Sequence, residues 1–347
     1  LIQRIFSIAG PKSGMSLDMT NLTDPMFHDE DKARAHLEAI RWPHGPNCPH
    51  CGNIDPDKIA KVEGKKQTHR KGLYYCNECG GQFTVTVGSV MERSKVPLSK
   101  WVFAFHLFAA SKKGMSAHQL HRMLGVTYKT AWFMAHRIRE AMKEDVKSSG
   151  PLGGEGKTVE ADETYIGKRE TPRVSAQRKG RPFTKKGKSG GAQKRIVVGL
   201  VERGGKARMF HLNDATKDTV RDVLVRNADR KSTLYTDESR LYTETGKEYA
   251  AHGTVKHSAK EYVRYEGEKV VHSNTIENVF SVFKRGMIGV YQHCGEAHLH
   301  RYLAEFDFRY NRRTALKVSD RERAEDAIRG ASGKRLTYNQ TGEAGHA

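Results

Sequence analysis

The sequence predicts a multidomain chain in which a small zinc-held β ribbon and a helix-turn-helix precede an α/β domain. Three observations carry this. Four cysteines stand in two Cys-x-x-Cys pairs, Cys48/Cys51 and Cys76/Cys79, with 24 residues and no other cysteine between them. The apolar periodicity is helical from residue 98 to 139 and becomes that of strands beyond residue 157. The 60 Lys and Arg against 40 Asp and Glu leave a formal charge of +20 over 347 residues, which favours a polyanionic partner. Nucleic acid fits better than a membrane, because no apolar run approaches the roughly 20 residues that span a bilayer.

The N-terminal residues 1–30 read as a disordered leader. The chain does not begin with Met, so residues 1–14 are expected to be upstream sequence, with Met15 or Met19 as the native start. Ala35, Leu37, Ala39 and Ile40 suit a short helix stopped by Pro43, and this helix with the ribbon makes a first unit, 31–95. Each cysteine pair is followed by glycine, Gly52 or Gly80, so the backbone can turn and point two sulfurs at one ion. Four thiolates at about 2.3 Å satisfy tetrahedral zinc. The competing readings are two disulfides or a redox pair, but the first needs an oxidising compartment and the second only one pair. Cys294 is left as an ordinary reduced thiol, and the expected compartment is the cytoplasm. The alternation Gln82-Phe-Thr-Val-Thr-Val87 reads as the hairpin that closes the ribbon.

Pro97 opens a helix with Trp101, Phe105, Phe108 and Ala109 on one side. Ser116 then caps a helix with Leu120, Met123 and Leu124 inward, Gly125-Val126 turn, and Thr127 caps a second helix carrying Ala131, Met134, Ala135 and Ile138. This is a helix-turn-helix pattern over 96–147, whose second helix would show Tyr128, Lys129, Thr130 and Arg137 to a groove or to phosphates. A helical hairpin of a core is the plainer alternative.

Glycines and a proline at 148–156 read as a linker to the α/β domain, 155–315. Strands are expected at 158–166, 195–202, 207–212 and 232–236, with a helix at 217–227. Residues 168–195 hold eleven Lys and Arg with one Glu, so they read as a basic loop that tracks a DNA backbone, Lys185 and Lys186 among its contacts. Leu299, Tyr302, Leu303, Phe306 and Tyr310 mark a core helix whose Arg301, Arg309 and Arg312 could also meet DNA. Residues 316–347 read as a flexible tail.

Carboxylates recur at chosen places. Asp162 lies in a β-prone run, Asp237 at the end of a strand 75 residues on, and Glu277 on a helix 40 residues further. On that helix Ile276, Phe280, Phe283 and Met287 make an apolar stripe, while Glu277, Ser281 and Lys284 share another face with Asn274 beside them. Locally this is also what a structural Glu/Lys helix looks like. The order strand, strand end, helix is what two-metal phosphoryl chemistry needs: hard oxygen ligands holding two Mg²⁺ or Mn²⁺ about 3.5–4 Å apart, with Lys284 gripping a phosphate.

These pieces resemble bacterial insertion-sequence transposases of the DDE class, in the subgroup with an N-terminal zinc ribbon and an ISXO-like catalytic domain. The resemblance spans roughly residues 30–315. It is carried by Val159-Glu-Ala-Asp-Glu-Thr-Tyr-Ile-Gly167, Tyr235-Thr-Asp-Glu238, His272-Ser-Asn-Thr-Ile-Glu277 through Lys284-Arg-Gly286, and His298-Leu-His-Arg-Tyr-Leu-Ala-Glu-Phe-Asp-Phe-Arg-Tyr-Asn-Arg312. It implies an RNase H-like catalytic domain with Asp162 and Asp237 as the first two metal-binding acids. Members carry Glu or Asn at the third position, so Glu277 and Asn274 both stand, with Glu277 favoured because a carboxylate holds a divalent cation more strongly than an amide. Arg285 joins the expected DNA contacts, and Glu160, Glu163 and Glu238 read as neighbours that adjust charge or face solvent. The implied activity is DNA transposition: binding of terminal inverted repeats, cleavage at the element end, and attack of the freed 3′-OH on target DNA by a dimer or higher oligomer at the bacterial nucleoid. The rivals are a zinc-ribbon regulator whose acids are structural, and an inactive domesticated transposase.

Overall fold

The computed structural model describes residues 21–63, 69–145, 149–168, 194–259, 261–267 and 269–337. The basic loop, including Lys185 and Lys186, lies outside the described residues apart from its two ends. Helix α1 (Glu30–Arg41) starts where the Asp29 carboxylate accepts the Asp31 and Lys32 amides, and it buries Ala33, Leu37 and Ile40. Just ahead of it, Met26 and Phe27 are buried in a 3-10 turn, so the expected leader ends before residue 25. Two apolar side chains so close to α1 are enough to dock that segment.

The ribbon is a three-stranded antiparallel sheet of β1 (Ile59–Lys61), β2 (Tyr74–Cys76) and β3 (Gln82–Phe83). Trp42 meets Tyr74 and Phe83 edge-on at 5.3 and 5.8 Å, fastening the sheet to α1. The expected strand to residue 87 stops at Phe83. There the chain turns inward, burying Val85, whose carbonyl is taken by Arg41.

Helices α2 (Leu98–Ala110), α3 (Ala117–Leu124) and α4 (Tyr128–Met142) follow as expected, with Ser116 and Thr127 as N-caps and Gly125 in the left-handed region at φ 60°. They are not a separate domain. One core runs from Phe27 and Leu37 through Trp101, Phe105, Leu120 and Ile138 to Ala327 and Ile328. The last two belong to α9 (Asp320–Arg329), which has a Ser319/Glu322 capping box. The expected flexible tail is thus helical up to Arg329. Its polar composition hides a stripe of Ala324, Ala327 and Ile328 that closes the α2 face.

The α/β domain is built on a five-stranded sheet ordered β6-β5-β4-β7-β8, comprising β4 (Thr158–Ile166), β5 (Arg195–Glu202), β6 (Ala207–Leu212), β7 (Thr233–Asp237) and β8 (Ala251–Val255). β4, β5 and β6 run antiparallel, whereas β7 pairs parallel with both β4 and β8. Helix α5 (Lys217–Asn227) covers one face with Val220 and Leu224 over Val198, Leu200 and Leu234, and a single turn α6 (Thr243–Gly246) follows β7. Helices α7 (Asn274–Gly286) and α8 (Leu299–Asn311) cover the other face with Ile276, Phe280, Phe283, Leu303 and Phe306. The edge strand β8 and a small hairpin of β9 (Arg264–Glu266) and β10 (Lys269–Val271) had no clear sequence pattern. Gly199 pairs with Asp162, and a Cβ there would stand 2.7 Å from Ile276 and Phe280, so glycine lets α7 lie close over the middle of the sheet.

A buried ion cluster joins the two halves. Arg139 of α4 donates to Glu305 of α8 at 2.7 Å, Arg309 and the Tyr291 hydroxyl bond the same carboxylate, and Arg139 lies 4.0 Å from the Tyr302 ring centroid. Arg312 likewise bonds Glu144 and Asp326. The arginines of α8 expected to face DNA therefore serve as internal ties in the case of Arg309 and Arg312, and Arg301 is turned toward Glu140 at 3.8 Å.

Because α9 completes the N-terminal core, Ile328→Ala should lower the unfolding free energy by about 2–5 kcal/mol, read by urea denaturation. A change under about 0.5 kcal/mol would mean that the helix is not docked.

Candidate active site and zinc site

The cysteine sulfurs converge. All four lie within 4.8 Å of one another, with Cys48–Cys79 at 3.6 Å and Cys51–Cys76 at 3.7 Å, and none of the chain's cysteines is in a disulfide. A tetrahedron with corners about 2.3 Å from its centre has edges near 3.8 Å, so the four sulfurs fit one zinc ion. Gly52 and Gly80 take φ of +78° and +69° at the knuckles, and their amides bond the carbonyls of Cys48 and Cys76 at 2.9 Å. Burial raises the Cys76 thiol, but the amides of Cys79 and Glu78 and the Asn53 side chain outweigh it, holding the group down at about 6. His50 bonds the Gln82 carbonyl instead of joining the sulfurs.

Asp162 and Asp237 sit level on adjacent parallel strands. The register Glu160↔Tyr235, carried two residues further, sets one opposite the other, which is the structural meaning of their 75-residue spacing. Their carboxylates and that of Glu163 lie within 4.8 Å of one another. Glu163 is therefore inside the acidic cluster: of the two expectations for it, adjusting charge holds, since it raises Asp162, and facing solvent does not, since the Tyr242 hydroxyl holds it at 2.7 Å. The signal was available in the unbroken Asp162-Glu163 pair, but period 2 assigns them to opposite faces. Burial, then the charges of Glu163 and Asp237, push the Asp162 carboxyl up to about 8, with Glu277 adding to the effect. Burial also raises Asp237, against the Ser239 amide and His257. Buried acids that resist ionisation together are what a divalent cation would relieve, so the donor set fits one.

Glu277 stands in the first turn of α7, outside the cluster of three but close enough to act on Asp162. It accepts from Ser273 Oγ at 3.1 Å, and His257 Nε2 lies 3.4 Å away. Asn274 is exposed at the first residue of the helix, its backbone N–H donating to His272 Nδ1. The residue that sets this helix is Glu160. It is fully buried and accepts from the amides of Thr275 and Ile276 at 2.9 and 3.1 Å, from Thr275 Oγ1 at 2.8 Å and from Arg203 at 2.6 Å. The expectation that Glu160 adjusts charge or faces solvent is thus replaced by a helix cap supplied from the sheet. No local signal betrays it, since the cap lies 115 residues from the helix it serves. Glu238, by contrast, bonds Ser258 at the surface.

On the N-terminal side, Tyr128 is exposed and stacks on His118 at 4.3 Å, Lys129 is exposed, and the Thr130 hydroxyl bonds that of Thr127. Arg137 lies beneath that surface, at the bottom of a cleft that Lys129 and Thr130 also line. It is 9% exposed, donates to the Glu92 carbonyl at 3.0 Å and lies over the Phe133 ring, because the second half of α4 is enclosed by the core. On α7, Lys284 is half-buried, and Arg285 is exposed and bonded to Ser281.

Two outcomes test these sites. About one zinc per chain should co-purify, and Cys76→Ser should lose it with the ribbon's structure, read by elemental analysis and hydrogen exchange; metal-free protein with both pairs oxidised would exclude the site. The folded Asp162 value lies above the unfolded one, so its favourable contribution is complete below about pH 4 and is lost as pH rises through about 8. A divalent cation must displace that proton below pH 8. Mg²⁺ or Mn²⁺ should therefore raise the unfolding temperature more at about pH 9 than at about pH 6, and Asp162→Asn should remove the difference. Equal shifts at both pH values would contradict it.

Known proteins match on both parts. A family model described as a transposase zinc-ribbon domain matches residues 28–82, and one described as an ISXO2-like transposase domain matches residues 151–311. An uncharacterized protein in the transposable element ISH50 of Halobacterium salinarum is 28% identical over 289 residues, covering 82% of this chain and 91% of its own length. That relative is archaeal, so the bacterial label of the resemblance is too narrow. Two Mos1 transposase structures, a paired-end complex with the left transposon end and a Strand Transfer Complex, share 10% and 11% identity over 61% of this chain and 76% of theirs, at TM-scores of 0.19 and 0.20. At those scores the likeness decides nothing about the fold, which rests on the strand order. Among the described residues no helix is long and apolar enough to cross a membrane. With both its ribbon and its sheet domain matched, the chain belongs to the transposases that join a transposase zinc ribbon to an ISXO2-like transposase domain.

Proposed function

We propose that this transposase cuts and joins DNA strands at the ends of an insertion sequence, with Asp162 and Asp237 as the two acids at the reacting phosphate. The observation that carries the reading is their placement side by side on adjacent parallel strands, with Glu163 beside them and Glu277 facing them from α7. The sheet order, three antiparallel strands followed by two parallel ones, supports an RNase H-like catalytic domain.

In the first step water attacks a phosphodiester at the element end. A bond forms from phosphorus to the water oxygen, the bond to the 3′-oxygen breaks, and that oxygen leaves as the 3′-OH after taking a proton. In the second step the 3′-OH attacks a target phosphodiester, replacing one phosphorus–oxygen bond by another without any covalent bond to the protein. Held by Asp162, Asp237 and a third acid, two Mg²⁺ or Mn²⁺ ions would supply charge neutralisation at the attacking and leaving oxygens. The chain's own part is positioning. Glu160 fixes the start of α7, Ser273 and His257 orient Glu277, and Lys284 and Arg285 face the phosphates from the same helix. The zinc ribbon and the first turn of α4, with Tyr128, Lys129 and Thr130, bind the terminal inverted repeats. Joining two ends to one target calls for two or more copies on DNA.

Asp162→Asn and Asp237→Asn should each abolish cleavage and strand transfer while leaving DNA binding intact, measured on duplexes carrying the element's ends with Mg²⁺. Glu277→Gln, Glu163→Gln and Asn274→Ala assayed side by side identify the third ligand: the true one loses most activity and is the one partly restored by Mn²⁺. Wild-type cleavage by both Asp variants would sink the enzyme reading and leave a DNA-binding regulator.

A further inference from the structure

A cleft of about 420 Å³ lies between the segment leaving the ribbon and the first turns of α4, lined by Arg93, Lys95, Lys129, Phe133 and Arg137. Its charge is one-sided. Lys95 and Lys129 are exposed, and Arg93 is 78% exposed at the rim. The nearby acid is Glu92, and it is engaged: one oxygen accepts the Gly88 amide at 3.0 Å and the other lies 3.8 Å from Arg93 Nε. At the floor Arg137 is nine-tenths buried, with one nitrogen on the Glu92 carbonyl and Nε without a hydrogen-bond partner among the described residues. A buried cationic donor left without an acceptor is costly, and an incoming anion is what would satisfy it. Burial, with Arg335 close by, also holds the Arg137 guanidinium below its ordinary value, against the opposing pull of Glu92.

Two further features fit an anion. The fifteen-residue helix α4 begins at this cleft, with Lys129 and Thr130 in its first turn, and so adds the positive end of its dipole. Arg93 holds φ of +56°, a left-handed conformation, and the segment is kept in place by the Trp101 indole donating to Ser94 Oγ at 3.0 Å. That turn leaves the Arg93 side chain on the open rim of the cleft.

We propose that this cleft is a phosphate grip for duplex DNA. It takes backbone phosphates beside the first turn of α4, with Arg93, Lys95 and Lys129 neutralising them and Arg137 fixing their position from below. The inference rests on the DNA reading given above and adds the place where the backbone is held, separately from any base reading by Tyr128. Phosphate contacts set register and affinity without sequence preference.

The test is fluorescence anisotropy over a salt series with two labelled duplexes of equal length, one carrying an element end and one unrelated. The Arg93→Ala/Lys95→Ala double variant, both changes at the surface, should weaken both duplexes by the same factor. It should also lower the slope of log affinity against log salt by about 2. If the wild type binds and the double variant keeps its affinity and slope, the grip is wrong while the DNA reading stands. If the wild type binds no duplex, both fall. A variant that loses only its preference for the element end would make these residues base readers and overturn the grip. Inorganic phosphate, at constant ionic strength, should stabilise the wild type no more than chloride does. Phosphate-specific stabilisation with duplex binding unchanged in the variant would make this a free-anion site.

Discussion

The buried carboxylate of Glu160 is the constraint on which the candidate active site depends. It sits on β4 two residues from Asp162, and it accepts the first free amides of α7, the helix that carries Glu277. Ser273, the residue at the head of that helix, makes no side-chain cap of its own. A helix start without partners in a buried place would be costly, so the sheet supplies the missing acceptor. Arg203 neutralises the same carboxylate and reaches the carbonyls of Val270 and His272, which ties the β10-to-α7 approach to the sheet as well. A change in the position of Glu160 would move Glu277 relative to Asp162.

Gly199 acts in the same place from the neighbouring strand. By lacking a Cβ it lets Ile276 and Phe280 lie against the sheet beside Asp162. The acidic cluster is therefore backed by dry packing on the α7 side and by Tyr242 on the α5 side. That burial raises the cost of ionising Asp162 and Asp237 together, and the same enclosure would make a bound cation effective. At the zinc site the knuckle amides favour thiolate at Cys76, but the crowded sulfurs raise Cys51 and Cys79, a cost that a zinc ion among them would relieve.

The N-terminal part gains its rigidity from contacts far along the chain. The α9 stripe closes the α2 face, and Arg139 is buried against Glu305 of α8. A buried pair of this kind is expensive to leave half-made, so it couples the positions of α4 and α8 and hence of the ribbon side and the sheet side. The surface left open on α4 is its first turn, where Tyr128 and Lys129 stand.

The sequence by itself determined what depends on near neighbours. The two cysteine knuckles, the caps at Ser116 and Thr127, the β-prone runs of β4 and β5, and the helix at 217–227 are all local patterns, and the structure keeps them. The 75-residue spacing of Asp162 and Asp237 was legible because one lies within a strand signal and the other ends one. Tertiary structure alone decided what depends on distant partners. Glu160 became a cap and Glu163 a member of the acidic cluster because other elements came to them. Arg137, Arg309 and Arg312 turned inward because cores and carboxylates from elsewhere enclosed them. The tail became α9 because its short apolar stripe found a face on α2. Charge and exposure look the same in a sequence whether a side chain meets solvent, a helix end or a metal. Which of these it meets is fixed only when strands pair and helices pack.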